Sequence, residues 1–218
     1  MTDPSTWEVY LVTDRTFSCG RTTREIVEAA IRGGVSAVQL REKELDTRDF
    51  LEEGREIRTL LKDAGVPLII NDRIDIALAL DADGVHLGRS DMPANIAREI
   101  LGPDRIIGLS VEEPEHITSD DTSYADYLGI SPVFLTPTKT DLERAWGLDG
   151  LRKARNLTRL PLIAIGSVKH ENAREVIGAG ADCVAVVTAI TAANDPERAT
   201  RLLLEEVRAG KGASINET

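Results

Sequence analysis

The sequence predicts an α/β protein that folds as one (β/α)8 barrel, the TIM barrel. Short apolar segments alternate with amphipathic segments along the whole 218-residue chain. A short pattern also recurs about every 45–55 residues, which is roughly the length of two βα units. Eight alternating strands and helices over one domain length are typical of this barrel. A doubly wound open sheet is the alternative, since the same alternation permits it.

The eight apolar segments are the predicted strands. Each is close to strand length and rich in Val, Ile and Leu, which is typical of parallel strands that are buried on both faces. They are Glu8–Thr13, Ala37–Leu40, Pro67–Ile70, Gly84–Leu87, Arg105–Leu109, Ala125–Ile130, Pro161–Ile165 and Cys183–Val187. Because only 4% of the residues are aromatic, we expect an aliphatic core.

The segments between the strands show the apolar spacing of helices. Asp46 or Thr47 suits the N-cap of the second helix, and Pro196 suits the first turn of the last one. Gly33-Gly34 suits a C-terminal cap before a strand. The predicted helices are Thr23–Ile31, Thr47–Leu61, Ile74–Leu80, Ala94–Leu101, Glu112–Ser119, Leu148–Asn156, Asn172–Ile177 and Pro196–Val207.

The recurring pattern is a small or acidic entry before a buried strand, and it marks the second, fourth, sixth and eighth strands. It occurs at Gly34–Val38, Asp81–Val85, Tyr124–Leu128 and Gly180–Val184. No linker divides the chain, so we expect a single catalytic domain over residues 1–210. Residues 211–218 are predicted to form a flexible C-terminal tail.

Composition excludes several classes of function. The formal net charge is −11, from 26 Lys and Arg against 37 Asp and Glu, which argues against a surface for nucleic acid or an anionic membrane. No apolar stretch approaches the ~18 residues that span a bilayer. Two cysteines, Cys19 and Cys183, do not make a disulfide framework or a zinc site. No secretory signal is recognisable at the N-terminus, so a cytoplasmic location is the default expectation.

Polar clusters stand where the apolar segments end. They are Gln39–Lys43, Asn71-Asp72, Asp91, Ser110, Thr136–Lys139, Gly166 and Val187-Thr188. In a parallel barrel these groups converge at the carboxyl end of the strands, where such barrels keep their active sites. Cations and paired carboxylates at one mouth suggest a phosphorylated substrate that is held with a divalent metal.

Alternative interpretations exist for the charged residues. Arg41 and Lys43 are two apart in extended backbone and project to one side, but they could also be a solvated charge pair around Glu42. Asp72 and Asp91 could be helix N-caps, which is compatible with metal binding.

The connection from Ser131 to Trp146 is longer than the usual βα loop of about 2–6 residues. It contains Lys139 and several hydroxyl side chains. On the active face of a barrel such a loop is typical of a lid, and an ordinary surface insertion is the alternative.

Taken together, these motifs resemble the thiamin phosphate synthase family over nearly the whole chain. The motifs are Tyr10–Asp14, Val38–Lys43, Ile70–Arg73, Asp83–Gly88 with Asp91, Gly108–Ser110 and Thr136–Thr140. The resemblance implies a transferase that joins a pyrimidine, carried as its methyl diphosphate, to a thiazole phosphate. Thiamin phosphate is formed and pyrophosphate is released, by a dissociative reaction on a barrel fold with Mg²⁺ as cofactor.

The resemblance also implies a role for each site residue. Asp72 and Asp91 correspond to the metal ligands. The catalytic cations that act on the pyrophosphate are Arg41, Lys43 and Lys139. Contacts to the pyrimidine diphosphate are expected from Gln39, Asn71 and Ser110, and contacts to the thiazole phosphate from Thr136, Thr138, Gly166, Val187 and Thr188.

Two positions depart from the family pattern on the thiazole side. The chain has Gly166-Ser167 where the family usually has Gly-Gly, and Thr188 where it usually has Ser. A Ser in the left-handed conformation would cost roughly 1 kcal/mol or more.

Two other functions remain as alternatives. Thiazole tautomerases share this barrel, but we expect a tautomerase to lack part of the Arg, Lys and Asp set. A non-catalytic sensor of thiamin phosphates would leave the paired carboxylates unexplained. His86 lies within the fourth strand, where a core or supporting role is favoured over that of a general base. The expected partners are small-molecule substrates; an oligomer is possible but nothing in the sequence argues for one.

Overall fold

The computed structural model describes residues 3–135 and 145–215. Eight parallel strands form a closed barrel in sequential order. The ring closes between the first and last strands, where Leu11 pairs with Val186. This closure confirms the predicted TIM barrel and excludes the doubly wound open sheet.

The strands lie close to their predicted positions. They are β1 (Val9–Val12), β2 (Ala37–Leu40), β3 (Leu68–Asn71), β4 (Gly84–Leu87), β5 (Ile106–Val111), β6 (Tyr127–Ile130), β7 (Leu162–Ile165) and β8 (Cys183–Val186). Two boundaries bear on the site, because Asn71 is the last residue of β3 and Ser110 lies inside β5. The sequence pattern predicts both just beyond their strands.

The helices follow the strands as the alternation predicted. They are α1 (Thr23–Gly33), α2 (Thr47–Ala64), α3 (Ile74–Ala79), α4 (Ala94–Leu101), α5 (Pro114–Ile117), α6 (Gly147–Leu157), α7 (His170–Gly178), α8 (Thr188–Thr191) and α9 (Pro196–Ile215). Asp46 caps α2, since its carboxylate accepts a hydrogen bond of 3.0 Å from the Asp49 amide. Helix α8 was not expected, and the predicted helix Glu112–Ser119 is reduced to one turn.

The last helix is longer than the pattern indicated. It continues past Val207 to Ile215, so the expected tail boundary at residue 210 falls inside α9. Residues 216–218 lie outside the described part of the chain. None of the described helices is both long enough and apolar enough to cross a membrane.

The core has two layers, because successive strand residues point to opposite faces. Val9 and Leu11 of β1 pack with the aliphatic residues between barrel and helices, as expected. Tyr10 and Val12 point into the barrel, where most of the buried residues are again aliphatic but three aromatic residues join them. These are Trp7, Tyr10 and Tyr127, and the Trp7 ring centroid lies 5.3 Å from that of Tyr10 and 5.5 Å from that of Tyr127.

Candidate active site

A cavity of about 780 Å³ opens at the carboxyl end of the barrel. Its lining comes from all eight strands and the loops that follow them. The ten predicted site residues that the structure describes all lie on its wall: Gln39, Arg41, Lys43, Asn71, Asp72, Asp91, Ser110, Gly166, Val187 and Thr188. Thr136, Thr138 and Lys139 lie outside the described residues, as does most of the predicted lid.

The two cations after β2 face the cavity and are held by carboxylates. Arg41 Nη1 lies 2.7 Å from Asp14 Oδ2, and Lys43 Nζ lies 2.5 Å from Asp72 Oδ2. Glu42 between them turns away and contacts Arg15 instead, at 3.5 Å. Arg41 and Lys43 therefore pair with carboxylates that follow other strands and not with Glu42.

Asp72 and Asp91 arrive from β3 and β4 and become hydrogen-bonding neighbours. Asp72 has a φ of +61°, a left-handed conformation, and Asp91 Oδ2 accepts a 2.7 Å hydrogen bond from the Gly88 amide. Neither carboxylate caps a helix. The N-caps of α3 and α4 are Arg73 and Pro93, and neither makes a side-chain cap bond.

The two carboxyl groups have opposite pKa shifts. Burial by itself would raise the pKa of Asp72, but the Lys43 ammonium and the hydrogen bond shared with Asp91 lower it below its usual value. Burial raises the pKa of Asp91, and the neighbouring Asp72 carboxylate adds to this. Two adjacent carboxylates, of which Asp72 alone pairs with the Lys43 ammonium, form a site that favours a further cation.

The floor of the cavity is a row of hydrogen-bonded side chains. Gln39 Nε2 donates to Tyr10 Oη at 3.0 Å, and Tyr10 Oη lies 3.1 Å from Tyr127 Oη. His86 Nδ1 lies 2.9 Å from Tyr127 Oη, and His86 Nε2 lies 2.9 Å from Ser110 Oγ. The favoured supporting role for His86 fits this position.

The opposite wall is formed by backbone at the ends of β7 and β8. Gly166 has a φ of +110°, and a Cβ at this position would lie 2.7 Å from the Pro132 side chain. Ser167 has a φ of +49°, so this serine does adopt the left-handed conformation, and its hydroxyl donates to the Leu135 carbonyl at 2.7 Å. Thr188 is the first residue of α8.

Several residues on the cavity wall were missed as site residues. Asp14 follows β1 and Lys169 follows β7, so the rule of polar residues at strand ends could have found both. Arg89 also lies on the wall, two residues before Asp91. Tyr10 and Tyr127 carried no such signal, because they lie within segments that read as uniformly buried.

Comparisons with known proteins agree with this geometry. The family model described as thiamine monophosphate synthase matches residues 9–190. A thiamine-phosphate synthase of Albidiferax ferrireducens is 55% identical over 188 residues, covering 86% of each chain. One of Natronomonas pharaonis is 54% identical and covers 91% of this chain and 94% of its own.

Comparison with solved structures agrees with the sequence comparisons. A thiamine phosphate pyrophosphorylase from Pyrococcus furiosus superposes with a TM-score of 0.87 at 39% identity, covering 95% of this chain and 98% of that one. A 3-hexulose-6-phosphate synthase superposes with a TM-score of 0.68 at 18% identity, over 91% of this chain and 99% of that one, which shows the barrel fold alone. The chain therefore belongs to the thiamine monophosphate synthase family of enzymes.

Proposed function

We propose that the protein joins 4-amino-2-methyl-5-hydroxymethylpyrimidine diphosphate to a thiazole phosphate, forming thiamin phosphate and releasing pyrophosphate. The observation that carries the proposal is the division of one cavity into two walls. Arg41, Lys43, Asp72 and Asp91 give one wall two cations and two carboxylates, while Gly166 and its neighbours give the other exposed backbone with Lys169 as its charged side chain. A cavity of about 780 Å³ is large enough for two small substrates side by side.

The charged wall suits departure of a diphosphate. When the bond between the pyrimidine methylene and the diphosphate oxygen breaks, its electron pair stays on that oxygen and a pyrimidine-methyl cation remains. The thiazole nitrogen then attacks the cation. Arg41 and Lys43 stabilise the growing negative charge, and their pairing with Asp14 and Asp72 orients them before the substrate arrives.

Asp72 and Asp91 are the proposed Mg²⁺ ligands. Within residues 3–135 and 145–215 no group of three or more His, Cys, Asp or Glu side chains is suited to a metal. Two carboxylates would leave positions for diphosphate oxygens and water, which is the ligand set that Mg²⁺ prefers. When bound, Mg²⁺ would neutralise charge on the leaving diphosphate.

The decisive experiment is product formation by the purified protein from the two substrates with Mg²⁺. We expect thiamin phosphate and pyrophosphate in equal amounts, and no product in excess EDTA. Asp72→Asn and Asp91→Asn should each lower turnover by about two to three orders of magnitude, as expected for loss of a transition-state electrostatic partner. Asp75→Asn, at an exposed carboxylate on α3, is the matched control and should keep full activity.

The same assay separates the alternatives. Binding of both substrates without product would indicate a sensor, and isomerisation of the thiazole alone would indicate a tautomerase. Full turnover in EDTA would contradict the role of the two aspartates. The cytoplasmic location stays a prediction.

A further inference from the structure

The hydrogen-bonded row on the cavity floor joins five strands, and the bond at its Gln39 end favours one direction along it. An amide nitrogen can only donate, so Gln39 Nε2 makes Tyr10 Oη an acceptor at 3.0 Å. The one hydroxyl proton of Tyr10 is then available to Tyr127, 3.1 Å away, and that of Tyr127 to His86 Nδ1, 2.9 Å away.

This direction sets the proton positions at the far end. A neutral histidine whose Nδ1 accepts carries its hydrogen on Nε2. In that form His86 Nε2, 2.9 Å from Ser110 Oγ, is the donor of this bond, and the Ser110 hydroxyl hydrogen is left for a ligand in the cavity. Burial raises the pKa of both Tyr10 and Tyr127, so the two phenols keep the protons that the row requires.

We propose that Tyr10 and Tyr127 are positioning residues that fix the polarity of the pyrimidine diphosphate site. The Tyr127 hydroxyl holds His86 in the Nε2–H form, so that Ser110 donates into the cavity. The Tyr10 hydroxyl accepts from Gln39 Nε2 and thereby orients the amide, so that Oε1 is the Gln39 atom left to accept from a ligand. This inference rests on the proposed function, since the pyrimidine diphosphate is the ligand concerned.

The neighbouring strands are built to leave room for this row. A Cβ at Gly108 of β5 would lie 2.0 Å from Tyr127 Cζ, and one at Gly129 of β6 would lie 2.9 Å from His86 Cε1. Neither glycine has a positive φ, so both are explained by the close approach of the rings and not by backbone conformation. The His86 and Tyr127 rings are also stacked, with centroids 5.6 Å apart.

The first test is the tautomer of His86, measured by long-range ¹H–¹⁵N NMR on the whole protein. The chain has three histidines, so His116→Gln and His170→Gln assign the remaining signal. We expect the Nε2–H form in the wild type. Tyr127→Phe keeps the ring and removes the donor to Nδ1, so it should shift His86 toward Nδ1–H. Tyr10→Phe leaves the Tyr127 hydroxyl in place, so it should not change the tautomer of His86.

The second test is kinetic. Loss of one hydrogen bond of this kind is worth about a tenfold change in binding, so Tyr127→Phe should raise the KM for the pyrimidine diphosphate about tenfold. The KM for the thiazole phosphate should stay unchanged. Tyr124→Phe removes a hydroxyl from a tyrosine that is 40% exposed and outside the cavity, and it should change neither.

The outcomes are separable. An Nδ1–H form in the wild type would overturn the proposal even if Tyr127→Phe failed to fold, and so would an unchanged tautomer in Tyr127→Phe. A KM increase for both substrates alike would indicate a packing role only and would also overturn it. Failure of the wild type to form thiamin phosphate would instead refute the proposed function, while the tautomer could still be measured.

Discussion

The two walls of the cavity are built in different ways. On the wall formed by β1–β4, long side chains carry the chemistry, and Lys43 with Asp72 and Arg41 with Asp14 are already paired at 2.5 and 2.7 Å. On the wall formed by β7 and β8, Lys169 is a charged side chain, but the distinctive features are backbone conformations, such as the positive φ of Gly166 and Ser167. Charged walls depend on residue identity, whereas backbone walls depend on conformations that several residue types can adopt. The two walls should therefore respond differently to substitution.

The substitution with the largest expected effect on catalysis is at Lys43. Charge on the leaving diphosphate grows toward the transition state, so Lys43→Ala should lower kcat by about 10²-fold and leave the KM for the thiazole phosphate nearly unchanged. Steady-state kinetics with each substrate varied in turn measures both. Lys153→Ala, at an exposed lysine on α6, is the control and should have no effect. A raised thiazole KM with normal kcat would mean that the two walls are interchanged.

A smaller effect is expected at Thr188 on the backbone wall. The charge on the thiazole phosphate does not change during the reaction. Thr188→Val should therefore raise the KM for the thiazole phosphate and affect kcat less. A hydrogen bond to a charged group is worth about 1.5–3 kcal/mol, which corresponds to a weakening of roughly tenfold to a hundredfold. Thr191→Val is a matched control on the same helix, because the buried Thr191 hydroxyl has no partner among the described residues. A loss of kcat in Thr188→Val with unchanged KM would contradict this assignment.

The same division decides what could be predicted from the sequence. Arg41 and Asp91 were identified because charged residues after apolar segments stand out and because strand ends converge in a barrel. Tyr10 and Tyr127 were missed, since a strand buried on both faces does not reveal which residues point inward. The conformation of Ser167 could be expected only through the resemblance to a family with glycine there. Nothing in the local sequence requires a serine to have a positive φ.

The charged wall has a second carboxylate pair behind it. The Glu42 side chain is only 3% exposed, and it shares Arg15 with Glu53, whose carboxylate lies 2.8 Å from that guanidinium. Glu42 Oε1 is buried without a hydrogen-bond partner among the described residues. Burial, and then the Glu53 carboxylate, raise the pKa of Glu42 from its usual value of 4.5 to about 7.

This shift predicts a pH dependence of stability. Because the folded state holds the Glu42 proton more tightly, the stabilisation is complete below about pH 4.5 and is lost as the pH rises to about 7. Glu42→Gln should lack this loss, so its stability relative to the wild type should improve between pH 5 and pH 8, by at least about 1 kcal/mol. Urea denaturation across this range measures the difference. Glu52→Gln, at an exposed glutamate on α2, should show no such trend, and a trend of equal size there would refute the assignment to Glu42.

The smallest effect concerns the backbone wall and uses Ser167. Its left-handed conformation costs about 1–2 kcal/mol for a residue with a Cβ, whereas its hydrogen bond to Leu135 contributes about 0.5–1.5 kcal/mol. Ser167→Ala keeps the strain and loses the bond, while Ser167→Gly loses both. Glycine costs about 0.5–1 kcal/mol in unfolded-state entropy, so Ser167→Gly should be more stable than Ser167→Ala by roughly 0.5–1 kcal/mol.

Ser119 provides the matched control for this comparison. Its hydroxyl also donates to a backbone carbonyl, that of His116 at 2.9 Å, but its φ is an ordinary −72°. Without strain to relieve, Ser119→Gly should gain less stability over Ser119→Ala than Ser167→Gly gains over Ser167→Ala. Denaturation midpoints of the four variants, measured together, decide the matter. If alanine is the more stable replacement at both positions, then the left-handed conformation at Ser167 carries no strain. The serine would then occupy this position without a cost that its hydrogen bond has to offset.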